Sequence, residues 1–121
     1  MFDAASRGDA AAAARVLSTD AVAVDDAPPF VWSGKNGGMR WFTDEANALK
    51  AGHVTLRITM VGSAREVTET TDGSALYFAQ PIRVALTTAG KTDYEAGIAT
   101  MTMRKERSAW KITSYTWTMK P

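Results

Sequence analysis

The clearest candidates for acid–base chemistry are two adjacent carboxyl groups, Asp25 and Asp26, which end a short apolar segment and precede Ala27-Pro28-Pro29. A carboxylate fixed at the end of a strand can act as a general base, a role that contributes about 10²–10⁴-fold to a rate. Aspartate before proline is also an ordinary turn residue, so the pair has a purely structural explanation as well. We predict Asp25 as the catalytic residue and rank Asp26 second as a candidate.

Other kinds of site lack the residues they need. The 121 residues include no cysteine and one histidine, His53, which excludes a thiolate nucleophile and a histidine-rich metal site. Gly34, Gly37 and Gly38 are not followed by the Lys-Ser/Thr of a phosphate-binding loop. We therefore expect neither a metal nor another cofactor.

The charge pattern gives no sign of a nucleic-acid or membrane partner. Fourteen basic and thirteen acidic residues give a net charge of +1, and nucleic-acid binding generally needs a clear basic excess. The run from Arg104 to Arg107 is typical of a solvated hairpin turn. No apolar run approaches the roughly 18 residues of a membrane span, and no signal peptide is recognisable. We expect a cytoplasmic protein that contacts neither nucleic acid nor membrane.

The elements that must position Asp25 begin with helices. Alanine favours helix, and residues 4–18 are rich in it, with an expected bend at Gly8. Residues 21–25 form a short apolar strand that ends at Asp25, and residues 30–32 form another. Apolar residues then recur at helical spacing, which predicts a second helix over residues 38–50.

After His53 the apolar period changes to two, which indicates strands. Strands are predicted at residues 54–60, 76–87, 92–103 and 110–119, joined by short polar or glycine-containing turns. Adjacent strands with short turns form an antiparallel meander. Helices followed by such a sheet predict one α+β domain over residues 1–121.

Several of these segments together resemble the nuclear-transport-factor-two-like superfamily. They are Gly8-Asp9-Ala10 between helical stretches, the strand at residues 20–25, Trp32-Ser33-Gly34 before the second helix, and a final strand opening with Trp110-Lys111-Ile112. The superfamily includes ketosteroid isomerase and SnoaL-like cyclases. The resemblance implies a cone in which helices pack on the concave face of a strongly curved sheet, and a homodimer formed through the convex face.

Ketosteroid isomerase provides a residue-by-residue comparison. Its carboxylate base would fall at Asp25, its tyrosine at about Met1, and its second acid at Ala99. The last two positions carry no group that can donate to an enolate oxygen through its side chain. One of three functional groups is therefore present, which argues against steroid-type isomerisation.

The same resemblance implies which side chains would line a pocket beside Asp25. Most of these residues are apolar, aromatic or methionine, as is usual for small-molecule sites, although the same residues could simply form core or fill the cone. The expected lining consists of Trp41, Ile82, Val84, Leu86, Ala99, Met101, Met103, Tyr115 and Trp117.

Two classes of function follow. In the first, the pocket binds a small apolar molecule, with or without cofactor-free proton transfer, hydration or elimination by Asp25. In the alternative, the chain is a non-catalytic interaction domain whose sheet face is the functional surface. An open cavity beside Asp25 favours the first class, and a filled interior favours the second.

Overall fold

A computed structural model describes residues 1–120. The alanine-rich segment forms two short helices, α1 (Phe2–Arg7) and α2 (Ala10–Val16). Gly8 separates them with φ of 64°, and Asp9 caps α2 by accepting a hydrogen bond from the Ala12 N–H. The predicted bend is confirmed.

The helical stretch ends two residues earlier than predicted, because the next residues already belong to the sheet. Strand β1 runs over Leu17–Val24, and Leu17 pairs with Ile112 of the last strand. Strand β2 (Val31–Trp32) pairs antiparallel with the end of β1.

Helix α3 (Gly37–Ala51) lies directly against β1. Its first residue approaches the strands so closely that a Cβ at Gly37 would lie 2.8 Å from the carbonyl oxygen of Ala21 and 2.9 Å from that of Trp32. Glycine is therefore required there for close packing. This contact fixes the start of α3 relative to the end of β1.

The remaining strands are β3 (Thr55–Met60), β4 (Arg65–Glu69), β5 (Ala75–Thr88), β6 (Lys91–Glu106) and β7 (Ala109–Met119). The predicted antiparallel pairing of the long strands is confirmed, with β5 beside β6 and β6 beside β7. Strand β4 was not predicted. Both β3 and β4 pair with β5, at different parts of its length.

The sheet order is β2-β1-β7-β6-β5-β3, with β1 and β7 parallel. Strand β1 therefore joins the sheet beside the last strand of the chain. The helices pack on the concave face of this curved sheet, which confirms the predicted α+β cone. No helix within residues 1–120 is long and apolar enough to cross a membrane.

Candidate functional site

An open cavity lies between the helices and the concave face of the sheet. Its volume is about 550 Å³, within the range of small-molecule sites. Apolar side chains from α1, α3 and the sheet form most of its wall, and Asp25 lies in that wall. The cone is therefore not filled at this end.

Asp25 is held as a hydrogen-bond acceptor by two tryptophans. The Trp41 Nε1–H donates to Oδ2 at 2.8 Å, and the Trp117 Nε1–H donates to Oδ1 at 3.1 Å. The backbone N–H of Asp26 donates to Oδ1 at 2.7 Å. A carboxylate has about four lone-pair positions, so one position on Oδ2 stays open for another partner.

The position of Asp25 follows from the connection between β1 and β2. Its N–H donates to the carbonyl oxygen of Phe30 at 3.0 Å, just beyond the Val24–Val31 pair. Asp25 is thus tied to the sheet by its backbone and to α3 and β7 by its side chain. Three separate elements fix one carboxylate.

Tyr115 contributes a second polar group to the cavity. Its ring packs against Trp41 with centroids 4.7 Å apart, and the residue is only 5% exposed. Within residues 1–120 no group hydrogen-bonds its hydroxyl, and no fully buried side-chain polar atom lacks a partner. The hydroxyl must therefore reach the open space of the cavity.

Burial, reinforced by the negative charge of Asp25, raises the pKa of Tyr115 well above its ordinary value. The hydroxyl consequently keeps its proton at neutral pH. It can donate a hydrogen bond to a ligand oxygen and accept one at the same time.

Trp117 depends on a glycine in the neighbouring strand. A Cβ at Gly97 would lie 2.6 Å from Cζ3 of Trp117 and 2.7 Å from the carbonyl oxygen of Thr118. The indole therefore lies directly over the Gly97 backbone. This packing allows the ring to extend toward Asp25.

Three further carboxyl groups share this region of the cavity: Asp26, Glu45 and Glu95. Together with Asp25 we call them the acidic end. Burial and then the charges of Asp25 and Asp26 raise the pKa of Glu45. Partial desolvation and the neighbouring Asp25 carboxylate likewise raise the pKa of Asp26. No ion pair within residues 1–120 involves any member of the acidic end.

The cavity brings together seven of the ten residues that were singled out from the sequence. Asp25 lies in its wall with six of the nine expected lining residues, which are Trp41, Ile82, Val84, Leu86, Tyr115 and Trp117. Five of the six lining residues lie on the inward faces of β5 and β7, near the open end of the cone.

Ala99, Met101 and Met103 are the exceptions, and their expected place in the pocket lining is corrected here. They share the inward face of β6 with Glu95, but the open space does not extend along the strand to reach them. Ala99 and Met101 belong to the core, Ala99 with no exposed surface, and Met103 packs against that core. Side chains fill the cone at this depth.

The sequence analysis missed Glu45, Glu95 and the role of the indoles as hydrogen-bond donors. Two signals could have revealed the carboxyl groups. Glu45 follows Trp41 by four residues, which places both on one face of α3. The β5–β6 hairpin pairs Glu95 with Val84, a residue already expected in the pocket.

Within residues 1–120 no group of three or more His, Cys, Asp or Glu side chains has an arrangement that could hold a metal ion. The groups around Asp25 in the cavity wall are further carboxyl groups, one phenol and two indoles, and Arg7 and Lys50 line the same cavity.

Comparison with known proteins identifies the family. The sequence profile of the SnoaL-like domain matches residues 1–119. The chain belongs to the SnoaL-like domain family. No curated protein matches the sequence of this SnoaL-like domain.

Solved structures show the same fold at low sequence identity. A nuclear transport factor 2-like superfamily protein from Salmonella enterica serovar Typhimurium LT2 aligns with a TM-score of 0.79 and 9% identity, over 99% of the SnoaL-like domain and 83% of that chain. A ketosteroid isomerase-like protein from Erwinia carotovora atroseptica aligns with a TM-score of 0.75 and 17% identity, over 98% and 88%. The hexachlorocyclohexane dehydrochlorinase LinA-type3 from Novosphingobium barchaimii LL02 aligns with a TM-score of 0.77 and 11% identity, over 99% and 79%.

Proposed function

We propose that this protein binds a small, largely apolar molecule in the cavity and catalyses a cofactor-free proton transfer on it, with Asp25 as the base. The observation that carries the proposal is the carboxylate anchored by two indole N–H groups in the wall of a cavity of about 550 Å³. A fixed base that still has an open acceptor position meets the geometric requirement for general base catalysis.

The reaction we propose begins with removal of a proton from a carbon next to an electron-withdrawing group, such as a carbonyl. Asp25 Oδ2 takes the proton, and the C–H electron pair moves into the carbonyl, leaving negative charge on its oxygen. The neutral Tyr115 hydroxyl donates a hydrogen bond to that oxygen, and a donor of this kind is worth about 10²–10³-fold in rate. Asp25 then returns the proton to the carbon skeleton or, in an elimination, keeps it as the leaving group departs.

The structural neighbours are compatible with this chemistry, since one is named as a dehydrochlorinase and another as ketosteroid isomerase-like. Their identity to this chain is too low to carry over a substrate. The open cavity favours this proposal over the alternative of a non-catalytic interaction domain.

Proton abstraction can be tested without knowing the product. We would incubate the protein in D₂O with a panel of small apolar ketones and follow loss of the α-C–H signals by NMR. Exchange catalysed by the wild type should fall by about 10²–10⁴-fold in Asp25→Asn. Tyr115→Phe should lower it by about 10²–10³-fold.

Asp44 provides a matched control. It also accepts a hydrogen bond from an indole, that of Trp32 at 2.8 Å, but it is not part of the cavity wall. Asp44→Asn should leave the exchange rate unchanged. Exchange that persists in Asp25→Asn would contradict the assigned base, and binding of the ketones without any exchange would indicate a binding protein instead.

The expected homodimer through the convex sheet face stays a prediction. Thr100 pairs with Thr116 there, and Thr102 with Ser114, through side-chain hydrogen bonds between β6 and β7. These pairs make a weakly polar surface. Sedimentation velocity would measure the mass of the assembly.

A further inference from the structure

The acidic end carries more negative charge than the proposed reaction uses. Asp25 is needed as the base, whereas Asp26, Glu45 and Glu95 have no part in the proton transfer. Their side chains form no ion pair within residues 1–120. Asp26 is exposed, whereas Glu45 and Glu95 are half-buried, and carboxyl groups brought together where water is partly excluded usually have a cation as partner.

The four carboxyl groups line one cavity and repel one another electrostatically. The charges of Asp25 and Asp26 act on Glu45, and the charges of Asp25 and Glu95 act on Asp26, always in the direction that raises the pKa. No arginine or lysine within residues 1–120 forms an ion pair that would offset this repulsion.

Three basic groups also line the cavity. Arg7 forms ion pairs with Asp3 at 2.8 Å and with Asp9 at 3.0 Å. Lys50 lies in the last turn of α3, more than one turn beyond Glu45, and is exposed. Burial lowers the pKa of the third basic group, the Met1 amino group.

Aromatic rings border the same region. Trp41, Tyr115 and Trp117 line the cavity beside the carboxyl groups, and the face of such a ring attracts a cation. The Tyr115 hydroxyl is an independent sign of a ligand, because it has no hydrogen-bond partner within residues 1–120 although the residue is only 5% exposed. Its oxygen can accept a hydrogen bond from an ammonium N–H.

We propose that the cavity selects molecules that carry a protonated amine or quaternary ammonium group on an apolar body, with the cationic group held among Asp26, Glu45, Glu95 and the aromatic rings. The apolar body occupies the part of the cavity formed by α1, β3 and β5. This inference names the substrate class of the proposed function and rests on it.

A pair of isosteric compounds isolates the effect of charge. Phenyltrimethylammonium and tert-butylbenzene have nearly the same shape, and only the first is a cation. We would measure binding of each by quenching of tryptophan fluorescence, since Trp41 and Trp117 line the cavity. The cation should bind at least about tenfold more tightly, as expected for a partly desolvated cation among aromatic rings and carboxylates.

Two variants identify where the cation binds. Glu45→Gln keeps the shape of the side chain and removes its charge, so it should weaken binding of the cation by about threefold to tenfold and leave the neutral compound unaffected. Glu69→Gln is the matched control, because Glu69 is exposed on β4 and outside the cavity. It should change neither affinity.

The pH dependence gives a second readout. A bound cation favours the ionised form of Glu45, so binding should release a proton and tighten as the pH rises through the acidic range. The neutral isostere should show no such trend. Other groups that face Glu45 or line the same cavity can also titrate or carry charge. They are Met1, Arg7, Asp25, Asp26, Lys50, Glu95 and Tyr115.

Equal affinity for the two compounds, or preference for the neutral one, would overturn the inference while leaving the cavity as the site of the proposed reaction. Cation binding that Glu45→Gln and Glu69→Gln affect equally would overturn it too, because the cation would then lie elsewhere. If neither compound binds to the wild type, both the inference and the proposed binding of apolar molecules fail.

Discussion

Carboxyl groups at two places along the β1 segment have opposite environments. Near its start, Ser18, Asp20, Arg104 and Glu106 form what we call the arginine cluster. Arg104 Nη2 lies 3.0 Å from Asp20 Oδ1 and also contacts Glu106, and the hydroxyl of Ser18 lies 2.6 Å from Asp20 Oδ1. Beyond its end lies the acidic end, where no carboxyl group forms an ion pair with a basic group of residues 1–120.

The difference appears in the direction of the pKa shifts. Hydrogen bonds from Arg104 and Ser18 lower the pKa of Asp20, and the same two residues lower that of Glu106. Burial and neighbouring carboxylates raise the pKa of Glu45. Paired acids stabilise the fold, whereas unpaired acids beside a cavity weaken it and are more readily explained by function.

The largest expected effect comes from disturbing the support of the acidic end. In Gly97→Ala the new Cβ would lie 2.6 Å from the Trp117 ring, so the indole must move away. We expect a loss of about 1–3 kcal/mol in the free energy of unfolding, typical of overpacking, and a parallel loss of the Asp25-dependent exchange activity.

Denaturant unfolding followed by circular dichroism measures the stability change. Gly52→Ala is the matched control, because the nearest heavy atom to its Cβ would be 3.4 Å away. Equal stability of the Gly97 and Gly52 variants would show that Trp117 is not held as described.

The next effect concerns the arginine cluster. Ser18 is 4% exposed, and its hydroxyl contacts both Asp20 and Glu106. Ser18→Ala should cost about 1 kcal/mol, the typical net value of a lost hydrogen bond. Thermal unfolding would measure it against Ser63→Ala, an exposed position in the β3–β4 connection. An unchanged midpoint in Ser18→Ala would contradict a stabilising role for the cluster.

A smaller change in the free energy of unfolding should be stabilising rather than destabilising. Because the pKa of Glu45 is higher in the folded state than in the unfolded chain, folding stability falls as the pH rises through the interval between those two values. Glu45→Gln removes this loss. The variant should be more stable than the wild type at pH 7 and equal to it at pH 3, whereas Glu69→Gln should match the wild type at both. A Glu45→Gln variant that is less stable at pH 7 would refute the assignment of an unpaired, destabilising charge.

The smallest effect should come from Arg104, because the cluster is largely exposed and surface ion pairs contribute little. The pKa values of Asp20 and Glu106 are lower in the folded protein than in the unfolded chain, so both carboxylates stabilise the fold at a pH above their unfolded-state pKa values. This stabilisation disappears as the pH falls through their folded-state pKa values. Arg104→Met should therefore be slightly less stable than the wild type at pH 7, with no difference once both acids are protonated. Urea titrations at both pH values would measure this, with exposed Arg57→Met as control; a difference that is independent of pH would point to lost packing instead.

Much of the fold was predictable because its signals are local. The alanine-rich segment, the break at Gly8 and the alternating apolar residues of the long strands each indicate one element from neighbouring residues alone. The weak strand β4, which is exposed throughout, gave no such pattern. The parallel pairing of β1 with β7 joins residues about ninety positions apart, and nothing in either segment specifies that partner.

The sequence by itself determined the types of the elements other than β4, which residues of β5 and β7 share a face, and the candidacy of Asp25 at the end of a strand. These depend on periodicity and on turn residues. Only the tertiary structure decided that two indoles from distant segments donate to Asp25, that Glu45 and Glu95 join it, and that Met101 fills the core while Tyr115 reaches the cavity. Hydrogen bonds and open volume depend on how far apart packed elements lie, and that distance is set by close contacts such as those at Gly37 and Gly97.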